Sequence, residues 1–256
     1  MPLTSLSSPI YLWKALIMQN TSSSPERRSF LTSIAAGAAA LGMASLIQPL
    51  RLNATPIASP QNATPGAGPL PGDADAWFSK IKGKHRIVFD VPRPHEIFPF
   101  AWSKVFLLTN AATGTPEKDN SVVVVLRHDA IPYAMEDRLW EKYKFGETFK
   151  IDDPKTKAPA IRNPFWKPQP GDYKVPGIGN VDIGIDQLQD NGVMFCVCDM
   201  AMTVYSAVAA QGMNQDPAEV KKDWLSGLLP GVQAMPSGVW AVGRAQEHGC
   251  TYCFAG

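Results

Sequence analysis

Cysteine and histidine are both scarce in this chain, with four of each in 256 residues. That density is far below what a disulfide-built scaffold needs, so the fold must rest on an apolar core. Several chemistries are excluded by what is missing. Phe254 stands where C-x-x-C-H haem attachment needs a histidine. Ser237 in "MPSGVW" lacks the G-x-S-x-G elbow of a serine hydrolase, and "GIGNVDIG" misses the G-x-G-x-x-G spacing of dinucleotide sites. Charge of one sign is lacking as well. Of 24 Lys+Arg and 23 Asp+Glu, four and one fall before residue 73, which leaves 20 against 22 in the remainder. No basic face stands out to track a phosphate backbone, so nucleic acid is not an expected partner. No repeat recurs at a fixed period.

The N-terminus carries more information. In "SSSPERRSFLTSIAAGAAALGMASLIQPL", Arg27 and Arg28 precede a weakly apolar run from Phe30 to Ile47 that is rich in Ala and Gly. The segment resembles a twin-arginine export signal. That resemblance implies passage through the twin-arginine translocase in a folded state, a periplasmic location, and an oxidising surrounding in which disulfides are permitted. The run is 18 residues long, near the lower limit for a bilayer span, and its Thr, Ser and Gly make it a poor anchor. A membrane tether is the alternative if the signal is retained. Residues 53–76 are Pro, Ala, Gly and Asn without apolar periodicity and read as a linker. The division expected is therefore a signal region at 1–52, a linker at 53–76 and one folded domain at 77–256.

From residue 77, short β-branched runs alternate with helical stretches, which predicts a three-layer α/β/α domain with a mainly parallel five-stranded sheet. The expected strands are 85–91, 121–128, 193–199, 232–236 and 250–255. The four valines of "SVVVVLRH" suit a strand buried on both faces. Helices are expected over 95–110, 132–143 with Pro132 in the first turn, 181–192, 200–212, 217–229 with Asp216 as N-cap, and 238–249. Residues 144–180 are dense in Pro, Gly and aromatics, and read as an ordered excursion or lid. Five of the tryptophans at 77, 102, 140, 166, 224 and 240 are assigned to the core, with Trp166 as the exception.

In open parallel sheets ligands lie outside the carboxyl ends of the strands. There the pattern gathers Asp90 and His95, Arg127 and His128, Cys198 and Asp199, and Ser237. Cys198 would end a strand just before a helix, where backbone N–H groups and the helix dipole favour a thiolate. Arg127 and His128 are the candidate electrostatic neighbours. Cys196, two residues earlier, falls on the same strand face but deeper, where an apolar setting raises a thiol pKa. Buried cysteines without chemistry are the competing reading of both.

The block "LQDNGVMFCVCDMAM", together with the order of elements over 83–256, resembles the DsrE-like sulfur-relay family. There a helix and an x-x-G-V turn feed a strand that ends in a reactive cysteine, and Cys198 is the matching position. The resemblance implies a five-stranded α/β/α fold, homo-oligomers, persulfide sulfur as the carried group, and a sulfur-carrier or thiol-redox protein as partner. The chain departs from it in its export signal, in the 144–180 excursion and in the closing "HGCTYCFAG". For that tail two further readings stand: Cys250 and Cys253 as a redox or structural pair, or a zinc or copper site built from Cys196, Cys198, His248, Cys250 and Cys253. A ligand- or partner-binding protein without chemistry is the third class. Cys250 and Cys253 differ by an odd offset, which puts them on opposite faces of a flat strand.

Overall fold

The computed structural model describes residues 74–256. The signal region at 1–52 and linker residues 53–73 lie outside the described residues. The first described element is the single-turn helix α1 (Ala74–Trp77), which runs into a 3-10 turn at Phe78–Lys80.

Five parallel strands make the main sheet: β1 (His85–Val91), β2 (Asn120–Leu126), β5 (Met194–Cys198), β6 (Val232–Met235) and β7 (Thr251–Phe254). Their spatial order is β6-β5-β2-β1-β7. This is the expected α/β fold. The valine strand explains its own position at the centre. Val122 and Val124 join the larger core with Phe89 and Phe195, while Val123 and Val125 join a smaller one with Val88, Cys196 and Met235. Each such valine taken from water contributes roughly 1.5–3 kcal/mol.

The chain steps from β1 to β2, β5 and β6 in one direction and then jumps back to place β7 beside β1. Right-handed crossovers put the connections of the first three steps on one face and that of the last on the other. The packing agrees. Phe100 of α2 (Phe98–Ala112), Met202 and Ala210 of α6 (Asp199–Met213), and Val220 and Trp224 of α7 (Pro217–Ser226) belong to the larger core. Ala241 and Ala245 of α8 (Gly238–Glu247) belong to the smaller. Asp216 caps α7 as predicted, accepting from the N–H groups of Ala218 and Glu219 at 2.8 and 3.2 Å.

The long helix expected at 132–143 is not formed. Residues His128–Ala134, Pro132 among them, coil as 3-10 turns, and helix α3 is confined to Asp137–Lys142. The cause is tertiary. The backbone at 134–136 is drawn out to pair with the segment after α7, with Leu229 N–H donating to Ala134 O at 2.8 Å and Glu136 N–H to Gly227 O at 2.9 Å. Of the two readings of 144–180, the packing is that of an ordered excursion. It holds the turn-length helix α4 (Phe145–Thr148) and a small hairpin of β3 (Lys174–Val175) with β4 (Gly179–Asn180), and leads into α5 (Ile185–Asp190). Its Phe145, Phe149, Phe165 and Tyr173 are buried in the larger core. Buried Asn163 ties it down, donating from Nδ2 to the carbonyls of Tyr133 and Met135 at 2.9 Å each. Among the tryptophans, Trp140 and Trp224 are fully buried, but Trp102 is exposed and stacks on Phe98 at 5.0 Å. No helix among the described residues is long and apolar enough to cross a membrane.

Candidate functional site

The connections that leave the sheet change face between β5 and β6. The chain leaving β5 turns into α6 on one face and the chain leaving β6 turns into α8 on the other, so a crevice opens at their carboxyl ends. A cleft of about 360 Å³ lies there, lined by Arg127, His128, Cys198, Tyr205, Ser237 and Gly238 among others. Sequence periodicity placed Arg127, His128, Cys198 and Ser237 at this edge, and the structure brings them to one cleft.

Two helix N-termini meet in it, and each is capped by a cleft residue. Cys198 is the N-cap of α6, its Sγ accepting from the N–H of Ala201 at 3.3 Å. Ser237 is the N-cap of α8, its Oγ accepting from Trp240 N–H at 3.2 Å. Unpaired N–H groups and the dipoles of both helices therefore favour negative charge between them. Close approach makes this possible. A Cβ on Gly238 would come within 2.4 Å of Arg127 Cβ, so only glycine lets α8 start against the end of β2.

Arg127 is less free than expected. Its Nε and Nη2 bind both oxygens of buried Asp90, at 2.6 and 2.9 Å, and Tyr252 on β7 donates to the same carboxylate at 2.9 Å. The hydrogen bond to Asp90 outweighs desolvation and raises the guanidinium pKa further. The pair is close to neutral, so the cation that Arg127 presents to Cys198 is largely balanced. His128 sits in the left-handed region at φ 50°, as do six other non-glycine residues among those described. Its Nδ1 lies 3.0 Å from Asp129 Oδ1 and its Nε2 3.5 Å from the hydroxyl of Tyr205. Tyr205 donates to Asp129 Oδ1, and burial together with that carboxylate pushes its pKa up to about 12, so it stays a neutral donor. Tyr205 and Asp129 were missed in the sequence. Tyr205 stands one turn beyond Ala201, whose N–H meets the Cys198 sulfur, and Asp129 directly follows His128; those spacings are the signals that could have found them.

Asp199, at the first position of α6, is paired with Lys221 of α7 at 2.9 Å, and Lys221 is buried. His95 lies in the loop before α2, away from the cleft lining, with its carbonyl accepting from Phe98 N–H at 3.0 Å.

The four thiols do not form one site. Cys196 and Cys198 are on β5, whereas Cys250 and Cys253 belong to the far edge at β7, with β2 and β1 between. Three strand spacings separate those edges by about 14 Å. All four are free, and among the described residues no group of three or more metal-binding side chains gathers. The zinc or copper set of Cys196, Cys198, His248, Cys250 and Cys253 is corrected on that ground. Cys196 is fully buried, and desolvation drives its thiol pKa far up. Cys198 departs from it in surroundings, joining the larger core while Cys196 joins the smaller. Cys250 also lies in the smaller core, and burial raises its pKa to about 11 against a lowering by Arg86. Cys253 packs on the larger core across the sheet, as the odd offset predicted, and burial raises its pKa too. His248 ends α8, stacked on Phe78 with ring centroids 5.9 Å apart, while its carbonyl accepts from Arg86 Nη1 at 2.8 Å.

No family model matches the chain, and no curated protein does. Among solved structures it is similar to a protein of unknown function from Methanobacterium thermoautotrophicum, at 16% identity and a TM-score of 0.35, over 66% of this chain and 98% of that one.

Proposed function

We propose that this protein works by thiol chemistry at Cys198, as an exported DsrE-like protein that accepts sulfur from a partner's persulfide in the periplasm. One observation carries the reading: Cys198 caps α6 where the connections of the sheet change face, with an N–H aimed at its sulfur and a cleft open beside it. A donor so placed stabilises negative charge on sulfur, the form that attacks. The thiolate attacks the outer sulfur of R–S–SH. The donor's S–S bond breaks, a new one forms on Cys198, and the partner leaves as R–S⁻ with no net oxidation. His128 and Tyr205, whose hydroxyl proton is held by Asp129, line the same cleft as Cys198 and form its polar wall.

The cleft is mostly apolar, and Met200, Val204 and Val239 around its mouth are exposed. That collar favours a protein segment, from a sulfur carrier or thiol-redox partner, over a small charged thiol. The export address rests on Arg27 and Arg28, and fold class alone assigns no chemistry. The test is intact-mass analysis after exposure to inorganic polysulfide, followed by reductant. One added sulfur is expected on the wild type and on Cys250→Ser and Cys253→Ser, removed by reductant and absent from Cys198→Ser. A Cys198→Ser protein that takes up sulfur like the wild type sinks the proposal.

A further inference from the structure

Away from the thiol cleft, a second opening of about 450 Å³ lies between the loop before α2 and the 150–157 segment of the excursion. Its floor holds the side chain of Tyr133, which is 1% exposed. The ring is fixed by Phe100 and Phe165, with centroids 5.2 and 5.4 Å away and both near-perpendicular to it. The hydroxyl makes no hydrogen bond among the described residues, yet it is not one of the fully enclosed partnerless atoms, which lie on Ser103, Asn120, Trp224 and Arg244. Burial also holds it neutral, so it is a fixed donor facing an opening.

The rim supplies both signs of charge. Lys150 and Lys157 make no ion pair among the described residues, and neither do Glu96 and Asp152. The neighbouring Asp153 is satisfied instead, by Arg162 at 3.0 Å and the N–H of Lys155 at 2.8 Å. Phe165 and Ile97 give the opening an apolar side. The volume suits a molecule of amino-acid size with water to spare.

We infer that this opening binds a free α-amino acid with an apolar side chain. Its carboxylate accepts from the Tyr133 hydroxyl and from Lys150 or Lys157, its ammonium faces Glu96 and Asp152, and its side chain lies on Phe165. A fixed donor and a rigid aromatic floor reduce what binding must order. The site is independent of Cys198, and its failure leaves the thiol reading untouched.

The experiment is calorimetric titration of the full chain with L-leucine and L-phenylalanine. The controls are 4-methylpentanoate, which lacks the ammonium, and 3-methylbutylamine, which lacks the carboxylate. At least one amino acid should bind more tightly than about 1 mM, and neither control should. Tyr133→Phe keeps the ring and removes only the donor, and should weaken binding several-fold to about tenfold. The double variant Lys150→Met with Lys157→Met, at two exposed positions and checked for an unchanged circular dichroism spectrum, should bind the amino acid no better than the amine control. Binding of neither amino acid, equal binding of a single-charge control, or unchanged affinity in Tyr133→Phe would each overturn the inference.

Discussion

Treating the native protein with iodoacetamide at pH 8 should modify one cysteine well before the others. The magnitude follows from burial and ionisation. A thiol of pKa about 11, as at Cys250, is thiolate at about one part in a thousand at pH 8, against about a quarter for an ordinary cysteine. Ionisation alone therefore slows Cys250 roughly two-hundredfold against an ordinary cysteine, while burial does not separate it from Cys198, since the two are 6% and 7% exposed. Cys196 has no exposure and an even higher pKa, so it should react only on unfolding. Cys253 is partly exposed with a raised pKa and should fall between. Cys198 opens to the cleft and accepts an N–H, and should be labelled first. Peptide mapping of a time course reads all four rates at once. Raising the pH from 8 to 9 should speed Cys250 about tenfold while leaving its rank unchanged. Labelling of Cys196 or Cys250 as early as Cys198 in a protein shown to be folded would refute the reasoning.

Three further outcomes follow from the same contacts. Arg127→Met leaves buried Asp90 with only the Tyr252 hydroxyl, and should lower unfolding free energy in urea by about 3–5 kcal/mol; a loss under about 1 kcal/mol would show the pair to be incidental. Gly238→Ala drives a Cβ into Arg127 and should cost about 1–3 kcal/mol by the same assay, with altered labelling at Cys198; unchanged stability and labelling would mean α8 moves freely. Stability should also fall as pH rises through the alkaline range. Cys250 is raised to about 11 in the folded chain, so its contribution is complete below about pH 8.5 and is lost towards pH 11. The loss should reach about 3 kcal/mol in the wild type and be smaller in Cys250→Ala, as read by thermal unfolding at stepped pH; identical slopes would contradict it.

How much of this was legible in sequence depended on whether local pattern or distant pairing decided each segment. Val122 to Val125 announced a central strand because both faces of that strand are buried, and Asp216 with Pro217 announced a cap because capping is local chemistry. The cleft followed from counting strand ends, which is topology rather than detail. The 132–143 helix failed because residues 134–136 answer to a strand-like partner at 227–229, nearly a hundred positions on. The tail thiols looked like company for Cys196 and Cys198 because a sequence records no strand order, and β7 turned out to belong beside β1. Arg127 resembled a free cation until Asp90, at the end of a different strand, was seen to hold it.

The jump of β7 back to β1 sets a condition on assembly. The strand that opens the sheet has one side without its final neighbour until the strand that closes it arrives, and the Asp90–Tyr252 contact spans 162 positions. Loop closure over such a distance is paid late and slowly. A chain that has already built β2, β5 and β6 still carries a bare β1 edge and an Asp90–Arg127 pair that lacks its tyrosine. Completion of the fold and completion of the wall behind the thiol cleft are thus one event, so a partly folded chain presents an adhesive strand and an unfinished site together.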